Sequence, residues 1–215
     1  MPEDYFLDND VILKLTAFGL MQSVLNKWSV DFKNIFVLKT ARYQLAGNSV
    51  RVKYSPDVSE RSTHFAVQCQ SVPTMNLIGD SIALAELDLL KQVLDIDIGE
   101  SQLLVETRNS TSFELVTGDK KFLRALVQHN QLSHIRERVQ GKVRCLEQIV
   151  LDCINDNGFD WVKNQVVSVS DTKVDQAIQC CFGSGSQANE QTVTDALNAY
   201  IHDLRSQTCN LLVIP

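Results

Sequence analysis

The chain predicts an α/β fold, a three-layer α/β/α arrangement around a mostly parallel central sheet, and three observations carry that expectation. Short β-branched and aromatic runs alternate with longer stretches whose apolar residues recur at helical spacing. Several of those runs end in an acidic or glycine turn that opens a helix directly, at Asp8, Gly99-Glu100 and Gly118-Asp119. The composition is that of an ordinary globular core: 215 residues, 44% hydrophobic, 21% charged, with mean hydropathy −0.07.

Asp4 to Leu7 is an apolar-aromatic run suited to a buried first strand. Val11, Leu15, Phe18, Met21, Leu25 and Trp28 then mark a helix over 11–28. Ile35 to Leu38 is the next strand. From Lys39 to Met75 the periodicity fades between turns at Gly47-Asn48-Ser49 and Ser55-Pro56-Asp57, which reads as an insertion or a pair of short helices with a loop. Order returns at Asp80 with an amphipathic helix through Leu94 that carries Glu86 and Asp88. Ile96 to Ser101 is a turn opening another helix to about Arg108. Phe113 to Thr117 is a strand, Gly118-Asp119 a turn, and Lys121 to Gln128 a helix. Val143 to Cys145 is a strand followed by a helix to Asn155, and Val166 to Val169 suits an edge strand. Asn189 is placed to cap a last helix from Glu190 to Leu204. Residues 1–157 therefore read as one domain with an insertion at about 39–75, and 158–215 as a C-terminal extension packed on it.

Several function classes are excluded at this level. The best apolar stretch, Val11 to Leu25, contains Lys14 and Gln22 and falls short of the roughly 18 residues a membrane helix needs. It also lacks a basic leader, so a cytoplasmic protein without membrane attachment is expected. The six cysteines contain no CxxC pair and read as buried thiols in a reducing compartment. The four histidines have no partnered serine or cysteine, which argues against a histidine-dependent nucleophile. A net charge of −6 argues against bulk coating of nucleic acid, yet Asp119 to Arg144 holds seven basic residues against two acidic ones. That stretch is +5, and the remainder −11. It reads either as a solvated helix face or as a local phosphate contact.

The chemistry is expected where carboxylates meet strand ends. Asp8 and Asp119 each follow a predicted strand, which places them on the rim where parallel sheets bind ligands. Glu100 opens a helix after a glycine, and Glu86 lies on an amphipathic helix that can turn it inward. Converging carboxylates repel one another by about several kcal/mol unless a cation lies between them. Hard divalent ions, Mg²⁺ or Mn²⁺, suit such oxygen ligands and promote phosphodiester hydrolysis.

Phe6-Leu-Asp-Asn-Asp-Val-Ile-Leu13, Ala85-Glu-Leu87, Gly99-Glu-Ser101 and Leu115-Val-Thr-Gly-Asp-Lys-Lys-Phe-Leu123 together resemble the ordered motifs of the PIN-domain nucleases. The resemblance covers about residues 4–155. It implies Asp8, Glu86, Glu100 and Asp119 as catalytic metal ligands for Mg²⁺ or Mn²⁺. It further implies an endoribonuclease acting on single-stranded or structured RNA and leaving 5′-phosphate and 3′-hydroxyl ends. In the mechanism so implied, Thr117 is expected to hydrogen-bond Asp119 or a metal-bound water, and Lys120, Lys121 and Arg124 to hold the RNA backbone. The 78 positions between Asp8 and Glu86 exceed the spacing of compact members, so Asp80 or Asp88 are alternatives to Glu86. Homodimers formed through apolar helices are common in the family, and a toxin role would require a protein inhibitor or antitoxin. A catalytically inactive PIN-fold module for RNA binding or assembly is the alternative. A weaker one is a haloacid-dehalogenase-type phosphatase, on Asp8-Asn9-Asp10; Ile12, Leu123 and Arg124 depart from its pattern.

Overall fold

A computed structural model of the chain describes residues 2–72, 80–169 and 173–214. Strand β1 (Asp4–Leu7) leads into α1 (Asn9–Ala17) and α2 (Met21–Trp28), and β2 (Ile35–Leu38) follows. Helices α3 (Ala41–Leu45), α4 (Asn48–Lys53) and α5 (Pro56–Gln68) connect to β3 (Gln70–Val72). Then come α6 (Ser81–Leu90), α7 (Ile98–Glu106) and β4 (Phe113–Val116), followed by α8 (Lys120–Gln128), α9 (Ser133–Val139) and β5 (Val143–Arg144). The chain closes with α10 (Leu146–Asn157), α11 (Phe159–Val167), α12 (Gln176–Cys181) and α13 (Glu190–Gln207).

The five strands form one parallel sheet in the order β3-β2-β1-β4-β5. After β1 the chain builds outward to β3, then crosses back to β4 on the other side of β1. Right-handed crossovers in opposite directions put their helices on opposite faces, which yields three layers. On one face α1 packs on α2 and α5, and α2 packs on α10; on the other, α6 packs on α7 and α8 on α9. The central strands are buried on both sides, as a covered parallel sheet requires. Tyr5 stacks on Trp28 of α2 at 4.1 Å, whereas Phe6 stacks on Phe36 at 4.9 Å.

Three expectations are corrected. The single helix over 11–28 is two helices, broken at Gly19, whose φ of +67° is left-handed. Residues 41–72, expected as an insertion or a pair of short helices with a loop, form the short helices α3 and α4 but also the longer α5 and the edge strand β3, and 73–75 lie outside the described residues. Val166 and Val167 end helix α11, so the expected edge strand there does not form. Its amphipathic face buries Phe159, Val162 and Val166, a spacing of three to four residues rather than two. The free edge of β5 is covered by the chain's end instead. Val143 donates to the Leu211 carbonyl at 3.0 Å and accepts from the Val213 amide at 2.8 Å. That pairing shields an otherwise open sheet edge.

The rim of the sheet is tightly built. A side chain added at Gly99, in the first turn of α7, would lie 2.8 Å from Leu38 Cδ1 at the end of β2. Gly99→Ala is therefore expected to cost about 1–3 kcal/mol in urea denaturation, as overpacking does. Unchanged stability would mean that Leu38 yields freely and that α7 is not pinned to the sheet there.

Candidate active site at the carboxyl edge of the sheet

Strand order reverses between β1 and β4, and the crevice of an open parallel sheet lies at such a reversal. A cleft of about 850 Å³ opens at this point, lined by Asp8, Asp10, Asp97, Glu100, Asp119 and Asp175 and by Lys14, Lys120, Lys121 and Arg124. Six carboxylates thus face four cationic side chains in one crevice. The sheet ladder aims the first two strand ends: the Asp8 amide donates to the Val116 carbonyl at 3.1 Å, and the Thr117 amide to the Arg144 carbonyl at 3.2 Å.

Asp8 stands at the N-cap position of α1, but its side chain makes no capping hydrogen bond. Its carboxyl is therefore not held by a capping bond, although the amides of Asn9 and Asp10 act on it. Burial, then the charges of Asp10 and Asp97, push it up to about 7, against the opposing pull of the Asn9 and Asp10 amides. Glu100 is raised to about 8, first by burial. The Asp97 amide opposes that shift, while the charges of Asp97, Asp119 and Asp8 add to it. Glu100 is thus within electrostatic reach of Asp97, Asp119 and Asp8, and Asp8 of Asp97.

Local structure fixes the others. Asp97 caps α7 through Glu100 N at 2.8 Å, and Glu100 Oε2 accepts from Asp97 N at 2.8 Å, a reciprocal capping box. Asp119 Oδ1 accepts from the amides of Lys121 and Phe122 at 2.7 and 3.0 Å, capping α8. Thr117 Oγ1 accepts from the Asp119 amide at 3.1 Å. Thr117 is itself buried, so it braces the turn from behind and does not line the cleft.

The structure brings Asp8, Glu100 and Asp119 together and leaves Glu86 apart. Glu86 is buried and receives a bidentate pair from Arg138 at 2.8 and 2.9 Å, with Arg108 and His134 at 3.8 and 3.5 Å. The helix turns it inward as expected, but toward arginine rather than toward the other acids. Its alternatives are also elsewhere: Asp80 caps α6 and pairs with Arg108, and Asp88 is exposed beside Lys91. Asp97 is the acid that stands beside Glu100 instead, and the Asp-x-x-Glu spacing of its capping box is visible in the sequence. Asp175 and Lys14 also line the cleft, and no local pattern connects them.

Of the expected phosphate contacts, Lys120 lines the cleft but directs its ammonium to buried Glu147 at 2.5 Å and over the Tyr200 ring at 4.8 Å. Lys121 lines the cleft without an ion pair among the described residues. Arg124 lines it while its Nε donates to Gln207 at 2.5 Å. The basic stretch is not a continuous track: Arg138 serves Glu86, and Arg144 serves Glu114 and Asp152.

An all-oxygen donor set of carboxylates fits Mg²⁺ or Mn²⁺ by chemistry. Among the described residues, however, no three His, Cys, Asp or Glu side chains stand in an arrangement that would hold a metal ion. One physical reason is that one oxygen each of Asp97, Glu100 and Asp119 is engaged by backbone amides at helix N-termini. The second oxygen of each makes no hydrogen bond to the described residues.

Raised carboxyl groups bind protons more tightly in the folded chain than in the unfolded one. The folded state therefore loses stability as pH rises from about 4 toward 8, the window between the ordinary and the raised values. Asp8→Asn is expected to stabilise the fold at pH 8 by roughly 2–4 kcal/mol and to change little at pH 4. Thermal melts at both pH values check this, and equal effects at the two would contradict it. Arg138→Met should cost roughly 3 kcal/mol by stranding Glu86, since one partner of a buried pair is removed. Chemical denaturation measures that loss, and a neutral result would show Arg108 to be sufficient. Compared with known proteins, the chain matches no family model, no curated protein and no solved structure.

Proposed function

We propose that the chain is a Mg²⁺- or Mn²⁺-dependent endoribonuclease of the PIN type. The observation that carries this reading is the convergence of Asp8, Asp97, Glu100 and Asp119 at the strand-order reversal, with two of them held above ordinary carboxyl values. Folding alone gains nothing from such a cluster, because each buried charge raises the cost of the next. A site that must bind a hard cation accounts for the arrangement.

In this reading Asp8 and Glu100 hold the ion, with Asp119 and Asp97 supplying their uncapped oxygens. The ion would contribute Lewis acidity at a phosphodiester and charge neutralisation around it. The capping bonds at Asp97 and Asp119 fix those side chains in advance, so little ordering is left for substrate binding. Lys121 and Arg124 lie on the α8 side of the cleft and are suited to the RNA backbone, which they would position without reading sequence. Glu86 and Arg138 act at a distance, by joining α6, α7 and α9 on the face that carries Glu100.

The second reading is a silent RNA-binding or assembly module of the same fold. It is favoured by one observation, that no three acids stand in a ligating arrangement among the described residues. Cleavage of labelled single-stranded RNA with Mg²⁺, Mn²⁺ or EDTA separates the two. The nuclease reading expects metal-dependent cutting that falls at least about 100-fold in Asp8→Asn, since even an outer-shell change costs 10- to 100-fold. RNA bound but uncut under every metal would favour the module.

A further inference from the structure

We propose that α3 and α4 are the surface over which single-stranded RNA enters the cleft. Tyr43 stacks on an unpaired base there, and Lys39, Arg42, Arg51 and Lys53 hold the backbone. The inference rests on the RNA reading above and adds what that reading leaves open, the strandedness of the RNA and the surface that receives it.

Residues 39–53 hold four basic side chains and no acidic one, in a chain of net charge −6, so the remainder carries −10. All four are exposed, and none makes an ion pair or a side-chain hydrogen bond among the described residues. The longer basic stretch differs in this respect, because Lys120, Arg138 and Arg144 are taken by Glu147, Glu86 and Glu114. Positive charge left unanswered on an acidic protein suits a phosphate backbone.

The same surface carries an aromatic ring. Ala41 and Leu45 bury one side of α3, and Tyr43 is turned outward, 66% exposed, with the Arg42 guanidinium 4.7 Å from its ring centroid. On α4, Val50 packs against the core, while Val52 is 80% exposed between Arg51 and Lys53. An exposed ring beside an arginine is a platform for single strands, since every unpaired base offers a π face. A duplex keeps those faces inside its own stack.

The topology joins this surface to the acids. Lys39 follows β2, and Thr40 and Gln44, one turn apart, line the cleft. Gln44 Oε1 accepts from Asn9 Nδ2 at 2.5 Å, which ties α3 to the residue after Asp8. Because β2 and β4 flank β1, the starts of α3 and α8 lie on either side of Asp8. A strand held at Arg42 and Tyr43 crosses the acids to reach Lys121 and Arg124.

The test is fluorescence anisotropy of a labelled single-stranded RNA of about 12 nucleotides, and of the same strand in a duplex. The full chain is used in EDTA, so that nothing is cut. The single strand is expected to bind at least about 10-fold tighter than the duplex, and Tyr43→Ala to weaken it about 10-fold, as loss of one stacked base does. Arg51→Gln combined with Lys53→Gln should lower the salt slope by about 1.4, two phosphate contacts at about 0.7 each. These side chains are exposed, so the fold is expected to survive each change. Equal binding of duplex and single strand, or parental binding by either variant, would overturn the inference. Metal-dependent cutting alongside parental binding by the variants would overturn this inference alone. The expected binding without cutting under Mg²⁺ or Mn²⁺ would support this surface and remove the nuclease reading alone.

Discussion

Mutual repulsion among carboxylates at the reversal point of the sheet is the constraint on which the rest of this structure depends. Asp8 follows β1, Asp119 follows β4, and Glu100 lies in the first turn of α7. Burial removes the water that would otherwise screen them, so each raises the cost of ionising the others. A domain of this size has about 5–15 kcal/mol of net stability to set against such a cost. The cluster is tolerated because the surrounding elements are rigid and because part of the charge is answered locally.

The answers take three forms. Helix amides donate to the carboxylates of Asp97, for α7, and Asp119, for α8, where helix N-termini favour negative charge. Lys14 matches two further acids and ties α1 to the C-terminal segment. The sheet supplies the rigidity: β1 is hydrogen-bonded on both sides, and its Tyr5, Phe6 and Leu7 are almost wholly inaccessible to solvent. The C-terminal segment is integral to this design. It brings Asp175, Gln176 and Ala177 to the cleft wall, Tyr200 over Lys120, and residues 211–213 to the edge of β5.

Much of the fold was legible because its strands are short apolar runs closed by turn residues. β1, β2, β4 and β5 announce themselves in this way, and Asn189 caps α13 as its position predicts. β3 did not, because Gln70-Ser71-Val72 is a polar edge strand with a single buried side chain. The break at Gly19 was masked by apolar spacing that continues through both helices. Asp8, Glu100 and Asp119 were legible from their place at element boundaries, where the backbone itself sets direction. Glu86 was not: periodicity shows that a helical acid faces inward, but not whether it meets a cation site or Arg138, which lies 52 positions on. Lys14 and Asp175 were invisible for the same reason, since their pairing is made only by tertiary structure.

The most direct measurement is a crystal structure with Mn²⁺, reading anomalous density at the cleft. The account predicts a peak ligated by oxygens of Asp8 and Glu100, with Asp97 or Asp119 turned toward it and Lys14 still between Asp10 and Asp175. Density bound elsewhere, or a cleft whose acids stay apart at saturating Mn²⁺, would contradict it.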